Sequence, residues 1–238
     1  MQVNCQLRAW SATSDNLTAL SGHPISVNEY KIPSAIKRRA SALTKLVIGT
    51  CLPILSETDI DYIVFATQHG EINRTLTLLN SLAQEQELSP TAFAQSVTST
   101  APGLLTIAAK KPIPFTTVSG NNNTLEAGLI EVAIRLQQQP QHQILLIVAD
   151  ESLPEIYKQH NPNQHQANLL AMHFAPGQQW QISISAAAQL DDDSNTANNT
   201  VHPANETKQR QQFIDQLANQ LSFKVRFNNS TQWTWVKQ

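Results

Sequence analysis

A short polar corner, residues 119–123, holds the side chains best placed for chemistry in this sequence. It reads Ser-Gly-Asn-Asn-Asn and separates an extended run at 113–118 from a predicted helix that starts at Thr124 and ends near Gln138. Where a strand turns sharply into a helix, free backbone N–H groups at the helix start can stabilise an anion, which suits a nucleophile. The corner contains no cysteine, and an amide such as Asn122 cannot carry an acyl group as a thioester.

Two other groups of side chains suggest alternative sites. Gln68-His69-Gly70-Glu71 follows a second apolar run, Tyr62–Thr67, and α/β sheets place sites at the carboxyl ends of strands. No second histidine or carboxylate clearly completes a constellation there, so a structural turn is favoured over an acid–base role. The acidic triplet 191–193 lies in a low-complexity stretch, and a disordered loop is favoured over cation binding because consecutive side chains diverge. No metal site and no cofactor is predicted.

The stretch from Ile113 to Glu151 is organised as strand, corner, helix and strand. The second strand, Ile144–Ala149, is a continuous apolar run, which is typical of a strand buried on both faces in a parallel sheet. Asn123 is a predicted N-cap, and Glu126 is predicted to complete a capping box. The inward stripe of the helix is predicted to be Leu125, Leu129, Val132, Ala133 and Leu136.

The remaining patterns predict a strand at Val3–Trp10 and an amphipathic helix from Ser34 that ends at Pro53. A helix starting at Ser89 and a short helix at Ala101–Lys110 follow, the latter with Leu104, Leu105 and Ile107 inward. The last part is predicted to contain strands Asn168–Phe174 and Trp180–Ser185, a helix at Lys208–Leu221, and a hairpin whose Trp233 and Trp235 cover the core. We expect one domain over 1–238, with a core of about 1–175 and a C-terminal extension of about 176–238 that is flexible at 190–207.

Composition narrows the classes of partner. The net charge of −2 and the pI near 6.4 argue against nucleic acid, whose binding normally needs a basic face. No apolar run approaches the roughly 20 residues of a membrane span, and the N-terminus lacks the pattern of a signal peptide, so a cytoplasmic protein is predicted. The basic cluster Lys37-Arg38-Arg39 is interpreted as a solvated helix face, with a dock for an acidic carrier protein as the alternative.

Several segments resemble the β-ketoacyl synthase family. Residues 119–131, Ser-Gly-Asn-Asn-Asn-Thr-Leu-Glu-Ala-Gly-Leu-Ile-Glu, resemble the family's nucleophile elbow, and counting back from Glu131 places Asn122 at the position of the catalytic cysteine. The likeness covers roughly residues 30–157 and is closest to short synthase-like proteins described as the N-terminal domain, which include chain-length factors of aryl polyene clusters. Its other segments occur in the family's order, at residues 33–44, 66–71, 89–93 and 150–154.

The resemblance implies a fold and a function. The fold is half of a duplicated thiolase-like α/β sandwich, a single αβα unit with a mostly parallel five-stranded sheet, plus a C-terminal helix and β-hairpin. The family's second half supplies two histidines, and 238 residues are too few to hold it. With the cysteine also missing, the resemblance implies a non-catalytic, chain-length-factor-like subunit of a type II fatty acid or polyketide system, as in aryl polyene biosynthesis.

The implied partner is a complete, active β-ketoacyl-acyl carrier protein synthase, and acyl carrier protein is a possible second one. In the family the strand before the nucleophile pairs across the dimer axis, and here that strand is Ile113–Ser119. The residues expected at the partner interface and acyl tunnel are Ser99, Thr100, Leu104, Phe115, Thr117, Ser119, Asn121 and Asn122. Two alternatives stay open: a stand-alone acyltransferase or hydrolase that uses Ser119 or Cys51, and a scaffold that only stabilises its partner.

Overall fold

The computed structural model describes residues 1–14, 20–21, 32–158, 167–187, 206–228 and 230–238. These residues form one eight-stranded sheet with helices on both faces. The strands are β1 (Gln2–Ser14), β2 (Leu20–Ser21), β3 (Tyr62–Ala66), β4 (Phe115–Val118), β5 (Ile144–Asp150), β6 (Asn168–Ala186), β7 (Phe223–Val225) and β8 (Thr231–Lys237). The helices are α1 (Ser34–Lys37), α2 (Ala42–Glu57), α3 (Ile72–Ala83), α4 (Pro90–Ala94), α5 (Thr100–Ala109), α6 (Thr124–Gln138), α7 (Glu155–Lys158) and α8 (Glu206–Ala218).

The predicted strand–helix–strand unit is confirmed. β4 and β5 lie on either side of β3 and run parallel to it, with Ile63 opposite both Phe115 and Leu145. α6 connects them, and its five predicted inward residues are all buried. The helix packs closely on the sheet because Gly128 has no side chain: a Cβ there would lie 2.8 Å from Leu146 Cδ1.

The predicted α/β class is right, but the sheet is larger and more antiparallel than the expected five strands. The order is β2-β1-β6-β5-β3-β4, and β8 pairs with β6 and with β7. Only the pairs of β3 with β4 and β5 are parallel. The predicted strands Asn168–Phe174 and Trp180–Ser185 are one strand, β6, because it continues through a bulge where Gln6 pairs with Ala175 and Cys5 with Trp180.

The sheet has a hydrophobic cluster on each face. One cluster brings α6, α8 and the C-terminal hairpin together, and the other packs α2 and α5 against β3 and β5. Trp233 and Trp235 are fully buried in the first cluster, as predicted, and Trp235 stacks on Phe223 with ring centroids 5.6 Å apart. The C-terminal residues 206–238 therefore share a core with the N-terminal strand. Residues 188–205, with the acidic triplet 191–193 and most of the segment predicted to be flexible, lie outside the described residues.

Several local predictions are wrong for identifiable reasons. The helix expected from Ser34 to Pro53 is two helices, because Ser41 starts α2 by accepting a hydrogen bond from Thr44 N, and Pro53 lies inside α2. Asn123 makes no side-chain capping bond, so the capping box does not form. Ile107, expected to face inward, is 63% exposed, because α5 buries only its opposite side.

Candidate functional site

The carboxyl ends of β3, β4 and β5 meet around the buried side chain of Asp150. Its carboxylate accepts hydrogen bonds from Thr67 Oγ1 at 2.8 Å and from the backbone N–H groups of Gln68 and His69 at 2.9 Å. Burial raises the pKa of Asp150 above its ordinary value, while these donors act in the opposite direction by favouring the carboxylate. Asp150 thus holds the loop after β3 in place, and its carboxylate oxygens are engaged in these hydrogen bonds.

The loop in turn contacts the polar corner. The side-chain amide of Gln68 donates to Asn121 Oδ1 at 3.2 Å and to Asn122 Oδ1 at 3.3 Å. Asn121 has φ +52°, a left-handed conformation that asparagine tolerates better than most residues. Gly120 is required beside it, since an added Cβ would lie 2.7 Å from Asn123 O. The corner is therefore a tightly built turn held by three amides, which we call the amide clasp (Gln68, Asn121 and Asn122).

The corner has the shape of a nucleophilic site but carries weak nucleophiles. Asn122, which the resemblance places at the position of the catalytic cysteine, is exposed. Ser119 is also exposed, and its hydroxyl donates to the backbone carbonyl of Gln68 at 3.5 Å rather than to an activating base. Cys51 is fully buried on α2, and burial raises the pKa of its thiol, which makes thiolate formation harder. Burial raises the pKa of Cys5 to about 12 in the same way.

Glu71, the other candidate of the loop after β3, has a structural setting. Its Oε1 accepts hydrogen bonds from Ser41 Oγ and Thr44 Oγ1, both at 2.9 Å, and Arg74 Nε lies 3.6 Å from Oε2. Burial raises its pKa, the two hydroxyl donors act in the opposite direction, and the negative charge of Glu151 raises it further. Glu71 thereby ties the start of α2 to the start of α3, which agrees with the structural interpretation of this turn.

β4 is an open edge of the sheet. It is the last strand in the order, and β3 is its one strand neighbour among the described residues. The carbonyls of Pro114 and Val118 accept from N–H groups of Ile63 and Thr67 on the β3 side. Because the direction of backbone groups alternates along a strand, the N–H and C=O groups of Phe115 and Thr117 point to the outer edge. Such an edge is a template for pairing with another chain.

The predicted interface and tunnel residues fall into two neighbouring groups. Thr117 and Phe115 lie half-buried on β4 and contact the α5 side: Thr98 Oγ1 donates to Thr117 Oγ1 at 3.3 Å, and a Cβ on Gly103 would lie 3.9 Å from Phe115 Cζ. The same group includes Ser99, which is the N-cap residue of α5, and Thr100 and Leu104 on α5 itself. Ser119, Asn121 and Asn122 lie at the corner, exposed at the end of the same strand.

Two carboxylates with structural roles were missed by sequence reasoning. Asp150 was interpreted only as the end of a strand. The sequence signal that could have identified its role is an acidic residue directly after a continuous apolar run. Glu126 was assigned to the capping box, but its buried carboxylate accepts hydrogen bonds from Asn228 Nδ2, Thr231 Oγ1 and, at 3.0 Å, Trp233 Nε1. It therefore fastens the C-terminal hairpin to α6.

Three further sequence predictions concern metal ions, membranes and the basic cluster. Across the described ranges, three or more His, Cys, Asp or Glu side chains nowhere gather as they would around a metal ion. The helices in the same ranges are all too short or too polar to cross a membrane. Lys37, Arg38 and Arg39 are exposed on and just after α1, where Arg39 Nε donates to Ala35 O.

The fold has known relatives. The chain is similar to a chain in the solved complex of the ketosynthase ApeO with its chain length factor ApeC from Xenorhabdus doucetiae, with 23% identity, a TM-score of 0.75, and coverage of 99% of this chain and 100% of that chain. It is also similar to the ishigamide ketosynthase/chain length factor, with 13% identity, a TM-score of 0.59, and coverage of 81% of this chain and 68% of that chain. At these identities the likenesses show a common fold.

Sequence comparison gives the family. Curated protein sequences give no match. The family model described as "Beta-ketoacyl synthase, N-terminal domain" matches residues 8–236, so the match extends well beyond the 30–157 on which the resemblance was based. The C-terminal helix and hairpin therefore fall within the family pattern. This chain belongs to the β-ketoacyl synthase N-terminal domain family.

Proposed function

We propose that this chain is a non-catalytic, chain-length-factor-like subunit that pairs through β4 with a complete, active β-ketoacyl synthase. The observation that carries the proposal is the open β4 edge, beside a corner in which the resemblance places Asn122 at the position of the family's cysteine. An open edge with apolar side chains on either face calls for a partner strand. A corner without a thiol or an activated hydroxyl calls for a partner that supplies the chemistry.

The solved relatives support this assignment. The first of them is a ketosynthase bound to its chain length factor. The matched chain there has about the length of this chain, since the alignment covers nearly all of both. A complete two-half synthase would not fit in that length, so we take the matched chain to be the chain length factor. By analogy we place this subunit in type II polyketide or fatty acid biosynthesis of the aryl polyene kind, in the cytoplasm.

Pairing through β4 has a direct test at two adjacent residues. Proline at 117 removes an N–H that points to the outer edge, so Thr117→Pro is expected to leave the fold intact and abolish the heterodimer. Proline at 116 removes an N–H on the β3 side, so Thr116→Pro is expected to unfold the chain. Each variant would be co-expressed with the complete synthase of the same organism and examined by size-exclusion chromatography with mass determination. Normal one-to-one assembly of Thr117→Pro would contradict the proposed edge pairing.

The second element of the proposal is control of product length. Phe115, Leu104 and Thr100 lie on the α5 side of β4, where we place the far wall of the acyl tunnel. Phe115→Ala is expected to lengthen the product made by the reconstituted complex, and Phe115→Trp to shorten it, because ring volume sets the depth available. Val118→Ala is the matched control, since Val118 lies on the opposite, α6 face of the same strand.

The two rival functions predict different outcomes. If the chain is a scaffold only, Phe115 variants change the yield of the complex while product length, measured by mass spectrometry, stays fixed. If the chain is itself an acyltransferase or hydrolase, purified protein without a synthase hydrolyses or transfers acyl thioesters, and Ser119→Ala or Cys51→Ala removes that activity. The buried thiol of Cys51 and the unactivated hydroxyl of Ser119 favour the chain-length role.

We also propose acyl carrier protein as a second partner of this chain. The exposed cations Lys37, Arg38 and Arg39 would suit the acidic surface of an acyl carrier protein. Reversing all three charges to glutamate is expected to weaken carrier protein binding to the assembled complex, with a dependence on salt concentration. Binding that is unchanged by the reversal would return this cluster to the role of a solvated helix face.

A further inference from the structure

A helical arm, residues 72–97, extends from the sheet next to the open β4 edge. It comprises α3, the following loop, α4 and the residues up to Val97, and neither of its two helices contains a buried residue. Several of its large apolar side chains are exposed, while Ile72 and Leu76 near the start of α3 are half-buried. The exposed ones are Leu79 at 49%, Leu82 at 60%, Leu88 at 38%, Phe93 at 64% and Val97 at 50%.

These exposures are unusual for helices of this composition. Ile72, Leu76, Leu79 and Leu82 recur at helical spacing, a pattern that normally marks a face packed against a core. Here that face packs against α4 only in part, and both Phe93 on α4 and Val97 beyond the end of α4 are exposed. Exposed apolar patches on soluble proteins commonly mark sites that bind another molecule, and here several exposed apolar side chains fall within one segment of the chain.

The arm is continuous with the β4 edge. Thr98, the next residue after the arm, donates its hydroxyl to Thr117 on β4, and its Cγ2 lies 3.0 Å from where a Cβ on Gly70 would be. Arg74 Nη1 also donates to Gln95 Oε1 at 3.1 Å, which holds α3 beside the residues after α4. A protein that pairs with the outer edge of β4 would therefore meet Val97 and Phe93 next.

The size of the β4 edge shows that a partner must contact more than this strand. β4 has four residues, and at about 3.3 Å per residue it is about 13 Å long. A stable interface involves about 20–30 residues on each side and about 800 Å² per partner. The edge strand alone falls well short of that size, and the adjoining arm supplies the missing apolar surface.

We infer that the helical arm is the second half of the synthase-binding surface, with Phe93 as its anchor. This inference rests on the proposed function and deepens it by naming the contact that stabilises the strand pairing. Aromatic side chains at the centre of an interface commonly dominate the binding energy. Phe93 is the largest of the exposed apolar side chains on the arm, and Val97 is the one nearest to β4 in the chain.

The test uses Phe93→Glu and Val97→Glu, with Leu221→Glu as the matched control. Leu221 is 69% exposed and lies beyond α8, between that helix and the hairpin. Each variant would be titrated against the complete synthase after confirmation of a wild-type melting temperature. We expect Phe93→Glu to weaken binding by about 30-fold or more, Val97→Glu to weaken it less, and Leu221→Glu to leave it unchanged.

Hydrogen exchange provides a second measurement that needs no substitution. Backbone amides of residues 72–97 are expected to become protected when the synthase is added to the wild-type chain. A complex that forms normally with both glutamate variants, and with no added protection of the arm, would overturn this inference while leaving the proposed function intact. Failure of wild-type chain to bind any synthase would instead overturn the proposed function. Self-association of the chain that depends on Phe93 would overturn the inference by showing a second copy as occupant.

Discussion

The C-terminal hairpin and the β4 edge are two borders of the β-sheet that differ in how they are covered. At the C-terminal hairpin, the second half of β6 gains β8 as a neighbour, and β7 pairs with β8 in turn. Trp233 and Trp235 are buried there, and Glu126 fastens the hairpin to α6. At β4, the outer backbone groups have no strand partner within the described residues, and all four side chains are only half-buried.

The difference shows where this chain is complete by itself and where it is not. One side carries an aromatic cluster, an antiparallel ladder and a satisfied buried carboxylate, which together make a self-contained core. The other side presents backbone donors and acceptors, polar hydroxyls and a neighbouring apolar arm. This composition agrees with the proposed interface, at which assembly with a partner would add stability.

The largest effect on stability is expected from Trp235→Ala. Trp235 is fully buried, stacks on Phe223 and makes an edge contact with Phe213 at 5.4 Å between ring centroids. Its removal should lower the free energy of unfolding by about 3–5 kcal/mol, because the cavity cannot close. Urea denaturation followed by circular dichroism measures this. Val236→Ala, at a half-exposed neighbour on β8, is the control and should change little.

A smaller loss is expected from Glu126→Gln. The substitution keeps the volume but replaces one carboxylate oxygen by an NH2 group, which cannot accept a hydrogen bond. It therefore removes either the acceptor of Asn228 (Oε2) or the shared acceptor of Thr231 and Trp233 (Oε1). We expect the free energy of unfolding to fall by about 1–3 kcal/mol. Glu131→Gln, on the same helix and without an assigned hydrogen bond, is the control. Equal unfolding curves for wild type and Glu126→Gln would show that the hairpin is held by its aromatic residues alone.

These two residues also show how far the sequence could predict the fold. The aromatic alternation at Trp233 and Trp235 and the apolar run of β5 are strong local patterns, so both elements and their burial were predictable. The role of Glu126 was not, because its partners lie about a hundred residues away in the chain and a local capping motif offered a competing interpretation. The direction of β6 was equally hidden, since a period of two is the same in parallel and antiparallel strands.

The candidate site divides in the same way. A short sequence motif was enough to propose Asn122 and the strand β4 as parts of the site, because the strand, the corner and the helix are contiguous in sequence. The amide clasp could not, since Gln68 reaches the corner only through the loop that Asp150 holds. In the helical arm, Ile72, Leu76, Leu79 and Leu82 recur at a spacing that predicts an ordinary amphipathic helix. Periodicity indicates an apolar face without saying whether this chain or another protein covers it.

The pH dependence of stability provides a third prediction, at His173 on β6, in the part of that strand that lies between β1 and β5. Burial lowers the pKa of His173 to about 4, and the nearby charge of Arg8 contributes to the shift. The unfolded chain binds a proton at this residue near pH 6.5, whereas the folded chain stays neutral until about pH 4. Stability is therefore unaffected above pH 6.5 and is lost as the pH falls through the interval between these values.

His173→Gln tests this because glutamine has no proton to bind. Between pH 7.5 and pH 5, wild type is expected to lose about 2 kcal/mol more stability than the variant. The raised pKa values of Asp150 and Glu71 act in the opposite direction, since folding then favours their protonated forms, but both proteins share them. Parallel pH profiles of the two proteins would show that His173 can be protonated without unfolding.

The smallest effect on the isolated chain is expected from Thr117→Ala at the open edge. The substitution removes a hydroxyl that bonds to Thr98 at 3.3 Å in an exposed setting, so the free energy of unfolding should change by less than about 0.5 kcal/mol. A loss above about 1 kcal/mol would mean that the β4 edge is part of the self-contained core, and the contrast between the two sides would fail. Because Thr117→Ala keeps the outward backbone N–H that Thr117→Pro removes, it should also still assemble with the synthase. Suppose that Thr117→Ala has wild-type stability and assembles with the synthase, while Thr117→Pro is stable but does not assemble. The binding energy of this edge would then come from its backbone hydrogen bonds.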